Sequence, residues 1–238
     1  MKAQLLAWYG MNARDLPWRH TRDPYAILVS EVMLQQTQVP RVEPRYRDWL
    51  GRWPTVEALA AAPRADVIRA WQGLGYNRRA VNLHRAAQTV AARGWPDDLT
   101  ELPGVGAYTA AAVACFAFGR DVLPEDTNVR RVQERTRVVF DGECAQALMD
   151  LGATVCLARV PRCNDCPLSV SCPSRGRRFE PARRQGPFEG SFRQRRARTL
   201  RLVADGPQPI AELDQEAVRS LRGDGLVSVE DGLARLPE

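Results

Sequence analysis

The sequence predicts an all-α protein with a small mixed unit at its C-terminal end, on three observations. Apolar residues recur at helical spacing in one short segment after another, proline or glycine punctuates each junction, and no stretch alternates like a strand before residue 226. At 238 residues the chain can hold one sizeable domain plus a small one, or two modest ones.

Leu5, Leu6, Trp8 and Tyr9 place a first helix over residues 2–12. The run Arg14-Asp15-Leu16-Pro17-Trp18-Arg19 then breaks it, either as a packing corner or as a wall that stacks on a planar group. Asp23-Pro24 starts a second helix over 25–38, with Ile27, Leu28, Val32 and Leu34 for the core. Glu31 lies inside this apolar helix. Pattern alone favours a surface position for it, and the alternative is a partly buried acid with a raised pKa. Helices follow over 44–53, 55–62, 65–72 and 79–92, broken at Pro54, Pro63 and Gly73-Leu74-Gly75. Leu74 and Tyr76 in that glycine turn are core residues or wedges.

Leu102-Pro103-Gly104-Val105-Gly106, followed by an apolar run over 110–118 and by Glu125-Asp126-Thr127-Asn128, reads as a hairpin, a buried helix and an acidic site. Two glycines flanking one apolar residue ahead of a helix suit a tight turn whose amides point outward together, an arrangement that attracts phosphate. An ordinary turn between helices is the competing reading. Further helices are expected over 129–140 and 145–156.

Cys156, Cys163, Cys166 and Cys172 then follow with the spacing C-x6-C-x2-C-x5-C. Four thiolates in a short loop of a reducing compartment hold a metal or a cluster, and spacing alone says only a tetrahedral sulfur site. Cys115 and Cys144 lie outside this pattern and read as core. Between Arg175 and Arg201 there are ten arginines and two acids, with glycine and proline abundant up to residue 194, a linker composition. Beyond it, helices over 195–204, 210–213 and 216–223 precede two alternating strands, 226–229 and 233–236, across Asp231-Gly232. That pattern is winged-helix-like.

The net charge of +6 and pI near 9.3 suit a polyanionic partner. The longest apolar run, nine residues, is far short of the roughly 20 that a membrane span needs, and the N-terminus lacks a secretory signal, so a cytoplasmic location is expected. With only His20 and His84, zinc-histidine sites and histidine triads are improbable, and acid-base chemistry falls to carboxylates. Lys2 is the one lysine.

These residues together resemble the helix-hairpin-helix DNA glycosylases with an iron-sulfur cluster loop and, within them, the MutY adenine glycosylases. The resemblance covers about residues 2–175. It rests on Leu-Pro-Trp-Arg (16–19), Ser-Glu-Val-Met-Leu-Gln-Gln-Thr-Gln-Val (30–39), Gly-Leu-Gly-Tyr (73–76), Leu-Pro-Gly-Val-Gly (102–106), Asp-Thr-Asn-Val (126–129), Ala-Leu-Met-Asp-Leu-Gly-Ala (147–153) and the four cysteines. It implies two helical subdomains with the active site between them over 1–174, including a [4Fe-4S] cluster loop at 156–172. An Arg/Gly/Pro-rich linker over 175–194 and a winged-helix-like unit over 195–238 would follow.

The resemblance further implies that Glu31 protonates the departing adenine and that Asp126 stabilises the sugar cation or bonds to it, the division of labour of glycoside hydrolysis. Tyr108 falls where lyase-active relatives such as endonuclease III carry a Schiff-base lysine. With Lys2 the only lysine, a monofunctional enzyme is expected. By the same resemblance Arg14, Trp18, Arg19, Gln146 and Asp150 line the base pocket. Gln36, Thr37, Leu74 and Tyr76 fill the gap and meet the opposite, oxidised guanine. Gly104, Val105 and Gly106 hold a phosphate through the hairpin, and Asn128 braces the site.

Two features depart from the family pattern: Glu125 replaces an apolar residue before the aspartate, and the segment 140–145 is short. The MutT-like domain of typical members has no counterpart in residues 175–238, which resemble the tail of short actinobacterial members. The expected partner is duplex DNA with a mispaired adenine, bound in the nucleoid by a monomer. Two rivals remain: a thymine or uracil mismatch glycosylase of the same fold, and a non-catalytic module that binds damaged DNA.

Overall fold

The computed structural model describes residues 1–180 and 186–238. The chain divides into two compact units, one of residues 1–27 and 106–184, the other of 28–105 and 185–238. Of the linker expected over 175–194, residues 181–185 lie outside the described residues.

The first unit holds α1 (Lys2–Asn12), α7 (Ala107–Phe116), α8 (Thr127–Thr136) and α9 (Ala145–Thr154), and α1, α8 and α9 pack around a core of Leu5, Val129, Val132, Leu148, Leu151 and Leu168. Helix α8 carries its buried residues Val129, Val132 and Thr136 on one face, three or four positions apart, and lays that face on α9. Gly152 permits the approach: a Cβ there would sit 2.5 Å from the Cβ of Asn128. Short 3-10 turns lie at Pro17–Arg19, Gly142–Cys144, Cys163–Asp165 and Ser169–Ser171 of this unit.

Helix α2 (Pro24–Leu34) leads into the second unit, followed by α3 (Val39–Arg52), α4 (Val56–Ala60), α5 (Arg64–Ala70) and α6 (Arg78–Arg93). Two boundaries in this stretch differ from the sequence expectation by four residues or more, as does the end of α8, at Thr136 rather than residue 140. Helix α2 stops at Leu34, four residues early, because Gln36 turns into the left-handed region at φ 57°. Helix α3 starts at Val39 rather than at residue 44: Pro40 sits in its first turn, where a fixed φ is already helical, and Pro44 forfeits only the bond to the Pro40 carbonyl.

The C-terminal elements of this unit are α10 (Phe192–Asp205), α11 (Gln215–Gly223) and a three-stranded antiparallel sheet of β1 (Gln208–Pro209), β2 (Ser228–Glu230) and β3 (Leu233–Arg235), in the order β1-β3-β2. Strand β1 was not expected; two residues give no alternation to read. Leu200, Val203, Leu221 and Leu226 share one core with Ile68 of α5 and Val81 of α6. Among the described residues no helix is long and apolar enough to cross a membrane.

Candidate active site and nucleic-acid interface

Asp126 caps α8 from an extended backbone conformation. Its Oδ1 accepts from the amides of Asn128 at 2.8 Å and Val129 at 2.7 Å, and its Oδ2 accepts from the Asn128 side-chain amide at 2.8 Å. A carboxylate oxygen has room for about two donors, so Oδ1 is filled and Oδ2 keeps one acceptor direction. Asn128 is fixed in turn. Its Oδ1 accepts from Arg131 Nη2 at 2.7 Å, and the same guanidinium donates to the carbonyls of Gly152 at 2.7 Å and Cys156 at 2.8 Å. Burial lowers the Arg131 pKa. Arg131 escaped the sequence reading, although Asn128 and Arg131, three apart on one helix, share a face. Glu125, the unusual second acid, is exposed and accepts from Gln133 Nε2 at 2.6 Å. Tyr108 stands half-buried in the first turn of α7.

Also in the first unit, Asp150 is wholly buried on α9 and gathers two arginines. Arg14 Nε reaches Oδ1 at 2.7 Å and its amide reaches Oδ2 at 3.0 Å; Arg19 grips both oxygens at 2.6 Å. Burial pushes the Asp150 carboxyl up, but the Arg19 and Arg14 hydrogen bonds and charges outweigh it and hold the pKa below the usual carboxylate range. Arg19 moves the other way: burial lowers it, and its bond to Asp150 raises it further. Four donors saturate this carboxylate, which anchors Arg14 and Arg19. Tyr9 donates to Gln146 Oε1 at 2.8 Å and lies under the Arg19 guanidinium, and Trp18 is buried.

The four loop cysteines carry free thiols and line one cavity with Arg135, Leu151 and Leu168. The Gly176 amide donates to Cys163 Sγ at 3.3 Å and Arg135 Nη1 to Cys156 Sγ at 3.4 Å, the kind of N–H contact that stabilises ligating thiolate. Burial pushes the Cys166 thiol up to about 11. Four soft sulfur donors around one cavity fit an iron-sulfur cluster or a zinc ion. In the present side-chain positions, no three Cys, His, Asp or Glu groups among the described residues converge on a single ion.

In the second unit Glu31 is buried at 6% exposure, against the surface position that its pattern favoured. Helix α2 is apolar on all sides and buried throughout residues 25–33, so it has no polar face for Glu31 to occupy.

The C-terminal turn of α2 is held by Arg79, a residue that the sequence reading passed over. Its Nη1 donates to the carbonyls of Val32 at 2.6 Å, Met33 at 3.0 Å and Gln35 at 2.7 Å. Its Nη2 donates to Thr37 Oγ1 at 3.1 Å and the Gly75 carbonyl at 3.0 Å. It lies over the rings of Trp71 and Tyr76, and burial lowers its pKa to about 10. Arg79 thereby ties together the two loops that carry Gln36, Thr37, Leu74 and Tyr76. Gln36 and Tyr76, at φ 57° and 45°, are exposed, while Leu74 is buried and Thr37 half-buried. Left-handed non-glycine residues cost energy and persist where surrounding contacts over-determine them.

In the hairpin, the Val105 amide closes the turn on the Leu102 carbonyl at 3.0 Å, and Gly106 caps α7. Gly104 has φ 78°, and a Cβ there would meet Asn82 Cβ at 2.6 Å, so only glycine fits.

The profile of the HhH-GPD superfamily base excision DNA repair proteins matches residues 29–151. An adenine DNA glycosylase of Mycolicibacterium smegmatis is 44% identical over 94% of this chain and 91% of its own length. One of Mycobacterium tuberculosis is 45% identical over 98% and 92%. Among solved structures, a thermostable thymine-DNA glycosylase superposes with a TM-score of 0.65 at 31% identity, over 72% of this chain and 93% of its own.

Proposed function

Because this chain belongs to the helix-hairpin-helix base excision DNA repair superfamily and, within it, to the MutY adenine glycosylases, we propose that it is a monofunctional DNA glycosylase. It flips adenine mispaired with 8-oxoguanine or guanine out of the duplex, cuts the N-glycosidic bond and leaves an abasic site. The name adenine DNA glycosylase carried by relatives that match nearly end to end supports the base. The observation that carries the chemistry is the capped Asp126 carboxylate, immobilised by three N–H donors with one Oδ2 direction free.

Breaking the bond requires a proton on the leaving base and negative charge beside an oxocarbenium-like sugar. Glu31, buried in an apolar helix, donates the proton. Asp126 stabilises or captures the cation through Oδ2, with Asn128 and Arg131 keeping it in place. Arg14, Trp18, Arg19, Gln146 and Asp150 form the base pocket, its arginines pre-positioned by the saturated carboxylate.

Lys2 is the one lysine of the chain, and its ammonium is held protonated by Asp141 at 2.5 Å and Glu143 at 2.7 Å. With Tyr108 in place of a Schiff-base lysine, strand scission awaits alkali. Gln36, Thr37, Leu74 and Tyr76 occupy the space left by the flipped base. The amides of Gly104, Val105 and Gly106 at the hairpin receive a phosphate. Cys156, Cys163, Cys166 and Cys172 hold a [4Fe-4S] cluster, which when bound fixes the loop and takes no part in bond cleavage. A winged-helix-like reading of residues 195–238 is supported by two helices, α10 and α11, beside a small antiparallel sheet in the order β1-β3-β2.

A thymine-DNA glycosylase among the structural neighbours favours thymine or uracil opposite guanine as the second reading. Competition among duplexes bearing A opposite 8-oxoguanine, A opposite G, T opposite G and U opposite G tests both. Preferred cleavage of the first supports the proposal. Preferred cleavage of T or U replaces it with the second reading, and no cleavage at all leaves a binding module.

A further inference from the structure

The C-terminal elements do more in the second unit than cover a core. Beside the shared packing on Ile68 and Val81, Arg69 Nε donates to the Ala204 carbonyl at 3.2 Å, which seats α10 next to the Gly73–Tyr76 turn. Between them runs a cleft of about 790 Å³. One wall carries Gln36, Tyr76 and Asn82, and the other carries Phe188, Arg193 and Arg201.

Six arginines line this cleft, at 41, 78, 79, 193, 196 and 201, against one acid, Asp224. The pairing is uneven. Arg79 is committed to carbonyls of its own unit. Arg196 takes Asp224 at 2.6 Å, and Arg78 stands 3.7 Å from the same carboxylate. Among the described residues Arg41 and Arg201 meet no acid, and Arg193 donates to the carbonyls of Gly186 and Pro187 and lies over the Phe188 ring, 6.0 Å from its centroid. Three guanidinium charges therefore face the cleft without a carboxylate partner among the described residues. Phe188 and Tyr76, on opposite walls, are 49% and 50% exposed. Unneutralised arginines at a groove bearing exposed aromatic faces are the chemistry of a nucleic-acid strand, phosphates on the guanidinium groups and bases against the rings.

We propose that this cleft binds the DNA strand opposite the mispaired adenine, with Arg193 and Arg201 of α10 on its phosphates and Phe188 facing Tyr76 across it. The C-terminal segment then extends the surface that meets the opposite base. The strand assignment rests on the proposed function, through Gln36 and Tyr76; the charge argument does not.

The test uses the whole chain and the variant Arg193→Gln/Arg201→Gln, with Arg219→Gln, an exposed arginine of α11 outside the cleft, as control. The duplex carries a 2′-fluorinated adenosine, which resists cleavage, opposite 8-oxoguanine. Each phosphate contact contributes about 0.9 to the slope of log affinity against log salt, so the double variant should lose about 1.8. Its hydroxyl-radical footprint should weaken on the 8-oxoguanine strand alone, with the control unchanged. A wild-type slope in a folded double variant, or protection lost only from the adenine strand, overturns the proposal. A wild-type enzyme that leaves unmodified adenine uncut while the double variant still shows the slope change defeats the glycosylase reading and keeps the cleft as a DNA surface.

Discussion

Asn128 donates from its side-chain amide to Asp126 Oδ2 at 2.8 Å, two residues along the chain and inside the first turn of α8. The helix cap and the candidate catalytic carboxylate are thus one group, and its partner is locked by Arg131. Replacing Asn128 by Ala should free Oδ2 to wander, and a misplacement of about 1 Å costs on the order of a hundredfold in rate. Single-turnover excision should fall by roughly that factor with little change in DNA affinity. An unchanged rate would remove Asn128 from the account.

Arg131 spans Asn128, Gly152 and Cys156, so its loss should be felt in the active site and in the cysteine loop. Arg131→Met should slow excision by about tenfold to a hundredfold and also lower the retained iron. Normal iron content with slowed excision would confine its action to Asn128.

Arg79 ties together the two loops of the second unit that carry Gln36, Thr37, Leu74 and Tyr76. Arg79→Met would strand several carbonyls and relax the left-handed turns at Gln36 and Tyr76, costing about 3 kcal/mol of stability. Denaturant unfolding measures this directly, and a loss under about 1 kcal/mol would contradict the role.

The Asp150 carboxyl gives a pH prediction with a fixed sign. Its pKa is lowered on folding by Arg19 and Arg14 against the opposing effect of burial. Its contribution is therefore complete above the ordinary value near 3.8 and disappears as pH falls through the lower folded value. Between those values the unfolded chain binds the extra proton. Stability of the wild type should fall more steeply with acid below about pH 4 than that of Asp150→Asn. Parallel acid limbs would show that the two arginines do not hold this group ionised.

Chemical assay offers a test of the cysteine loop. Protein purified without oxygen should contain about four iron and four inorganic sulfide per chain, as a [4Fe-4S] cluster in a four-cysteine site requires. Cys163→Ala should lose both. One zinc per chain in their place would reassign the loop.

The helical architecture was legible in the sequence because periodic apolar residues and proline or glycine breaks are local signals. Asp126 as a cap was not read from the sequence, because the helix was placed two residues late at 129, although an aspartate before a helical run has a defined task. Other features escaped because they depend on distant partners. Arg79 looks like any arginine in a helix; its meaning lies in carbonyls 44 to 47 residues away. Glu31 was misplaced by pattern because a helix buried on every side has no amphipathic stripe to betray an interior acid. The early end of α2 at Leu34 goes with the left-handed turn at Gln36, which an apolar pattern running through residue 38 does not signal.

The central claim is that Asp126 serves bond cleavage at adenine and that no amine cuts the strand. It is tested by single-turnover reaction on a duplex with adenine opposite 8-oxoguanine, read with and without alkali, for the wild type and Asp126→Asn. Asparagine caps a helix about as well as aspartate, so the variant should fold and bind. The account predicts scission by the wild type only after alkali, and a loss on the order of a thousandfold or more in the variant. Scission without alkali, or a variant that cleaves at the wild-type rate, would contradict it.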